Sequence, residues 1–308
     1  MNNPPLILGI GELLWDILPE SMRLGGAPAN FAVMAARLGN HAAILSRIGN
    51  DDLGRKAIEC LCPLLADASF LQTDPAHETG RVTVAFEGGQ PHYTIHQPAA
   101  WDFLELTAPW AQLAQRADAL CFGSLAQRSP QSRQTIQALV AQTSASCLRV
   151  FDVNLRPPFT SDEVIRESLE LATVLKMNDA EAPQVLALLG LSDSSDSAPG
   201  RLRRAAELLL TEFPSLMMVA ITRGAHGSLL VTRDEWHKHP GIPVQVADTV
   251  GAGDAFTAAM THYLLRGADL ATLNEAGNRW GAWVASQSGA MPALPDAVRA
   301  VIATAIEG

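Results

Sequence analysis

The stretch Leu6-Ile7-Leu8-Gly9-Ile10-Gly11-Glu12-Leu13-Leu14-Trp15-Asp16, continuing through Gly25-Gly26-Ala27-Pro28-Ala29-Asn30 to Leu38-Gly39, decides the fold. Residues 6–10 form a short uninterrupted apolar run, the pattern of a strand buried on both faces. Residues 29–38 set Phe31, Met34, Ala35 and Leu38 on one helical face, with Pro28 near the start and Gly39 just past the end. Strand, glycine-containing connection and helix, in that order, open a parallel sheet. The same rhythm recurs at 44–48, 119–122, 148–153, 174–177 and 217–222, all apolar runs of strand length. Ser129-Pro130 opens another helix as N-cap and N1, with Ile136, Leu139 and Val140 on its apolar face. This alternation predicts an α/β fold in three layers, a mostly parallel central sheet covered by helices on both sides.

One stretch has a period of two. Val82, Val84 and Phe86, a Gly88-Gly89-Gln90-Pro91 turn, then Tyr93 and Ile95 read as a β-hairpin. With extended chain from residues 13–24, it predicts a small β lid built from about 12–25 and 79–101 on one 1–308 domain. Residues 192–200, SDSSDSAPG, read as a solvated loop.

Composition excludes several function classes. With 22 Lys+Arg against 32 Asp+Glu the net charge is −10, so no basic stripe can track a nucleic-acid backbone. No apolar run approaches the roughly 18 residues of a membrane span. Met1-Asn2-Asn3-Pro4-Pro5 lacks the features of a secretory leader. Cys60, Cys62, Cys121 and Cys147 have no metal-ligand spacing and read as small buried hydrophobes in a reducing compartment. The expectation is a soluble cytoplasmic protein. There is no GxxxxGK[ST] and no HRD…DFG set, and Gly9-Ile10-Gly11 lacks the third glycine of a dinucleotide fingerprint.

The strongest chemical signal is Asp248-Thr249-Val250-Gly251-Ala252-Gly253-Asp254, between an alternating segment (Val244, Val246) and a helix carrying Phe256, Ala259, Met260, Tyr263 and Leu264. Small residues at a helix start let backbone N–H groups converge on an anion, aided by the helix dipole. Gly251, Ala252 and Gly253 are the candidate anion hole. Asp254 beside it would repel a phosphate unless it has a role, and general base fits. A second signal is Gly25-Gly26-Ala27-Pro28-Ala29-Asn30 with Asp16 upstream, which suits a polyhydroxylated ligand. Taken alone, turn glycines ahead of a capped helix account for it better.

Shorter signals follow. Asn154 and Arg156 end a strand, where open α/β sheets bind ligands. Asn178 and Glu181 could order waters around a metal–phosphate complex, or Asp179 could simply cap a helix. Thr222-Arg223-Gly224-Ala225-His226-Gly227 is either a nucleotide cradle or a tight hairpin. Asn278 alone reads as a surface or capping residue. His92 and His96 read as solvent-facing, and Trp101, Trp110, Trp280 and Trp283 as packing.

GGAPANFAVMAARLG near the start and DTVGAGDAF near the end resemble the two signatures of the ribokinase/PfkB family of carbohydrate kinases, and GELLWD with GGAPAN is most similar to bacterial fructokinases. The resemblance spans the chain and implies a ribokinase-like fold with ATP and Mg2+ as partners in phosphoryl transfer to a small-molecule sugar. It implies Asp254 as the base, Gly251, Ala252 and Gly253 around the γ-phosphate, and Asp16, Gly25, Gly26 and Asn30 on the sugar. Arg156 would lie near the transferring phosphate. Asn178 and Glu181 would position magnesium through water, and Thr222, Gly224, Gly227 and Asn278 would contact ATP. A potassium ion near Asp248 and the Gly289 backbone, and a homodimer through the lid, are also implied. Fructose is the leading substrate, with 2-keto-3-deoxygluconate or another sugar or nucleoside as alternatives. A non-catalytic sugar-binding regulator is the reading from a different class. Three positions depart from the pattern: Gln97-Pro98-Ala99-Ala100 lacks a lid arginine, Val153 replaces a common proline, and Ala259 a frequent glycine.

Overall fold

The chain is described by a computed structural model covering residues 3–65, 68–87, 90–191 and 200–307. Gly88 and Gly89 of the expected turn, and 192–199 of the expected loop, lie outside the described residues. Among the described residues, fourteen strands form in chain order. They are β1 (Leu6–Ile10), β2 (Leu14–Ile17), β3 (Met22–Gly25), β4 (His41–Leu45), β5 (Arg47–Gly49), β6 (Gln72–Asp74) and β7 (Gly80–Glu87), then β8 (Gln90–Ile95), β9 (Ala119–Gly123), β10 (Leu148–Asp152), β11 (Val174–Asn178), β12 (Met218–Thr222), β13 (Ser228–Val231) and β14 (Trp236–His239).

Eight of them make the central sheet in the order β14-β13-β12-β11-β10-β9-β1-β4, parallel except for β13 and β14. Apolar runs form these strands because both faces are covered. Leu8, Ile10, Phe122, Phe151 and Ile221 point into one buried layer, and Ile7, Cys121, Val150 and Ala220 into the other. From β1 the chain passes to β4 on one side and later to β9 on the other. Strand order therefore reverses beside β1, the kind of position where open α/β sheets hold ligands outside their carboxyl ends.

A second sheet of four strands, β3-β2-β7-β8, is the lid expected from the period-two stretch. Its base is held by Arg128, which donates to both carboxylate oxygens of Asp102 at 2.8 Å and to His96 O at 3.0 Å. The guanidinium also lies over the Trp101 ring. An arginine thus reaches the lid segment from elsewhere in the chain, although residues 97–100 carry none. Trp101, Trp110 and Trp280 are packing residues, as expected. No helix among the described residues is long and apolar enough to cross a membrane.

Several expectations are corrected. The 44–48 run divides at Ser46, whose hydroxyl donates to Gly11 O at 2.6 Å, and β5 leaves the main sheet to pair with β6. Val244 and Val246 form no strand. They are 38% and 59% exposed, with no neighbouring ladder, and alternation alone cannot supply one. The strand of this region is the polar β14, which pairs with β13. Cys60 and Cys62 are exposed; only Cys121 and Cys147 are buried. His96 is half-buried and hydrogen-bonds to Thr83 Oγ1 at 2.6 Å. Ser129 does cap the helix by position, but its hydroxyl donates to Asp102 O instead.

Candidate active site

The site residues gather at the carboxyl ends of β1, β10, β11 and β12, between the sheet and the lid. On the lid side, β2 and β3 pair antiparallel with Asp16 opposite Arg23, so both side chains share one face. A methyl group on Gly25 would come within 3.2 Å of Asp16 Oδ2. Gly26 opens the helix Ala27–Arg37 with φ +112°, and a Cβ there would collide with Glu12 O at 2.3 Å. Burial raises the Asp16 carboxyl above its ordinary value, with Asp248 adding to this and Arg156 and Arg23 opposing it.

Asn30, in the first turns of that helix, connects the two signature motifs. Its Nδ2 donates to Asp254 Oδ2 at 2.7 Å, while its buried Oδ1 has no partner and remains an open acceptor. Glu12 was not singled out by sequence reasoning, yet it is 3% exposed, with Oε2 unpaired. Burial pushes its carboxyl up to about 7, with Asp254 adding to the effect and backbone amides and Arg156 opposing it. The free oxygens of Asn30 and Glu12 are the acceptors a polyhydroxylated ligand would need.

The expected phosphate-binding motif is the turn into helix Ala252–Leu264. Gly251 takes φ +80°, and a Cβ would meet Ala290 Cβ at 2.6 Å, so only glycine fits between the two loops. Ala252 N–H donates to Thr249 O at 3.3 Å and Ala255 N–H to Gly251 O at 2.9 Å. The amides of Gly251, Gly253 and Asp254 have no backbone acceptor among the described residues, as befits a helix start. Among the expected anion-hole residues, the amides of Gly251 and Gly253 are therefore available to an anion, whereas that of Ala252 bonds back to Thr249 O.

Lys176 is the main residue that motif reading missed. It faces Asp152 in register across β10 and β11, and Nζ donates to Asp152 Oδ1 at 3.0 Å. Thr257 Oγ1 donates to the other oxygen at 3.1 Å. The ammonium reaches to 3.0 Å from where a Gly253 Cβ would stand, so a cation lies beneath the helix start. Burial alone would lower the Lys176 ammonium, but Asp152, Glu181 and Asp254 override that and raise it. A lysine interrupting an otherwise apolar strand, two residues before Asn178, was the available signal. Asp254 itself is pushed up to about 6, by burial first and Asp152 next, against Lys176, the Asn30 hydrogen bond and Arg156. Arg156 is exposed past the end of β10, and its charge opposes the shifts of Glu12, Asp16 and Asp254 alike.

On the remaining side, Asn178 and not Asp179 caps the helix Glu181–Leu188, its Oδ1 accepting from the amides of Ala180 (3.0 Å) and Glu181 (2.8 Å). The buried Glu181 carboxylate accepts from Leu155 N–H at 2.9 Å and Asn178 N–H at 2.8 Å, fastening the ends of two strands. Each oxygen keeps a lone pair for a water, which suits an outer-sphere magnesium better than direct ligation. Thr222 ends β12, and Gly224 to Gly227 make a tight connection into β13. Asn278 is buried, not superficial; its Nδ2 donates to Ser228 Oγ, one residue beyond Gly227. The Asp248 carboxylate, expected near a monovalent cation, accepts from protein donors. Its Oδ1 accepts from Val250 N–H, and Oδ2 from Gly289 N–H and from the Arg23 guanidinium.

Comparison with known proteins agrees with this geometry. The pfkB family carbohydrate kinase profile matches residues 20–297. The fructokinase of Escherichia coli is 30% identical, covering 93% of this chain and 95% of its own. The ATP-bound crystal structure of a sugar kinase from Pyrococcus horikoshii has a TM-score of 0.78 at 29% identity, covering 92% of this chain and 94% of that one. A double mutant of Vibrio cholerae fructokinase, crystallised with fructose, ADP and a potassium ion, has a TM-score of 0.80 at 27% identity and covers 98% of this chain and 100% of its own. A carboxylate in a glycine turn, tied to an asparagine of the N-terminal motif on a ribokinase-like sheet, agrees with the sequence match: the chain belongs to the pfkB family of carbohydrate kinases.

Proposed function

We propose that this carbohydrate kinase is a fructokinase, transferring the γ-phosphoryl group of ATP to the primary hydroxyl of fructose. The observation that carries the reading is the Asn30–Asp254 contact at 2.7 Å, which joins a polyol-binding motif to a carboxylate raised to about 6. Such a carboxylate is ionised at neutral pH and basic enough to take a hydroxyl proton. Asp16, Asn30 Oδ1 and the bare faces of Gly25 and Gly26 hold the sugar.

Asp254 accepts the proton as the hydroxyl oxygen attacks the γ-phosphorus in line, and the bond to the β–γ bridging oxygen breaks. The amides of Gly251 and Gly253, the Lys176 ammonium and Arg156 face the charge that spreads over the phosphoryl oxygens. Thr222, Gly224, Gly227 and Asn278 line the nucleotide side. Glu181 and Asn178 would hold magnesium through waters, and the ion would supply neutralisation of the phosphates when bound. Lid closure over β1 excludes water and suppresses ATP hydrolysis. A homodimer joined through the lid sheet is the assembly this reading anticipates, and light scattering tests it.

The deciding experiment is ADP release with magnesium and ATP across fructose, other hexoses, nucleosides and 2-keto-3-deoxygluconate. Preference for fructose supports the proposal. Strong turnover on another acceptor transfers the same chemistry to that substrate. Sugar binding without ADP release favours a regulator that has kept the fold.

A further inference from the structure

We propose that Arg23 is the fixed counter-ion of Asp248: a positioning residue that ties the lid to the anion-hole loop and makes a free monovalent cation unnecessary there. The kinase reading defines what that loop does, and the inference rests on it in that respect alone. Arg23 stands on β3, directly opposite Asp16 on β2. From there one guanidinium nitrogen donates to Asp248 Oδ2, and Nη2 donates to Ser288 Oγ at 3.0 Å. The side-chain stem runs along Gly289, with Cδ 3.8 Å from where a Cβ would be.

Asp248 Oδ2 also accepts Gly289 N–H at 3.2 Å, and Oδ1 accepts Val250 N–H at 3.0 Å. Three N–H donors, one of them a permanent cation, therefore meet this carboxylate. Potassium bound at the same oxygens would have to displace the guanidinium, which is always charged and more weakly hydrated than an ammonium. The pair is partly exposed, at 39% for Arg23 and 18% for Asp248, so its attraction alone contributes little stability.

Its consequence is positional. Asp248 leads within three residues to Gly251, and Gly251 abuts Ala290, so loops 248–251 and 288–290 form one clamp. Arg23 grips both loops from the lid, next to Asp16 on the sugar side. A sugar that draws Asp16 and the lid inward thereby also fixes the start of helix Ala252–Leu264.

The test uses the full chain as wild type, Arg23→Ala and Arg23→Lys, in about 100 mM potassium chloride or tetramethylammonium chloride. Thermal unfolding and kcat/KM are read for each. Wild type is expected to be indifferent, with melting within about 1 °C and kcat/KM within about twofold between the salts. Arg23→Ala is expected to lose about tenfold or more in kcat/KM in tetramethylammonium and to recover in potassium. Potassium should also raise its melting by roughly 3 °C, because an ion bound only by the folded state adds stability. Arg23→Lys should keep the indifference of wild type.

A wild type that needs potassium overturns the proposal. So does Arg23→Ala that matches wild type in tetramethylammonium, or one whose loss potassium does not reverse. If no acceptor supports turnover, the kinase reading fails while the melting comparison still decides the role of Arg23.

Discussion

Replacing Asp254 with asparagine should abolish catalysis and stabilise the protein, and the two effects have one cause. The carboxyl is raised from 3.8 to about 6, chiefly by burial and then by Asp152. Roughly two pKa units at 1.36 kcal/mol each correspond to about 3 kcal/mol against the ionised form. Asp254 is only partly buried by its surface exposure and not wholly withdrawn from solvent, so solvent relaxation lowers this to about 2 kcal/mol. The sign follows from linkage. A folded-state pKa above the unfolded one favours folding below the unfolded pKa, and that contribution is lost as pH rises through the folded one. Above about pH 6 the native protein therefore carries the cost in full.

Asp254→Asn keeps the shape and the contact with Asn30, while Asp152 and Glu181 still surround Lys176. Urea unfolding should show a gain of about 2 kcal/mol at about pH 8, shrinking toward zero by about pH 4. Turnover should fall by about 10²–10⁴-fold at the same time. A variant less stable than wild type at the higher pH, or one equally shifted at both, would refute the electrostatic reasoning. Retained turnover would remove Asp254 from the chemistry.

Wild-type kcat/KM should rise with unit slope through about pH 6 as Asp254 ionises, and a profile flat between about pH 5 and 8 would contradict that assignment. Glu12→Gln removes a carboxyl raised from 4.5 to about 7, so its stability gain should build as pH climbs between those values and be complete above about 7, read as a urea midpoint at several pH values. Lys176→Met withdraws a cation from Asp254. Its acid limb should move to higher pH by about one unit, with kcat falling more than KM rises; an unmoved limb would show that the ammonium does not act on the base. Gly251→Ala forces a side chain to φ +80° and into Ala290. It should cost about 1–3 kcal/mol in chemical denaturation and most of the activity.

Much of this architecture was legible in local pattern. Apolar runs of strand length, helices bounded by Pro28 and Gly39, and a period-two hairpin are encoded in neighbouring residues. Physical forces over a few positions are enough to read them. The two glycine motifs were legible for the same reason, since a turn that admits only glycine declares itself in the chain. Edge strands and exposed segments were not. Val244 and Val246 alternate as a strand would but have no partner, whereas β14 is polar and becomes a strand because β13 offers it a ladder.

The chemical roles divide along the same line. Asp254 and Asn30 could be named from their motifs, but 224 positions separate them, and only the packing of their two helices makes a hydrogen bond of 2.7 Å. Glu12, Lys176 and Arg23 look ordinary in sequence. Burial raises the first, register across β10 and β11 pairs the second with Asp152, and a strand pairing in the lid carries the third to Asp248. By itself the sequence determined the element order, the glycine turns and the candidate for the base. The tertiary structure alone decided which charges meet, because desolvation and ion pairing depend on distances that no local pattern contains.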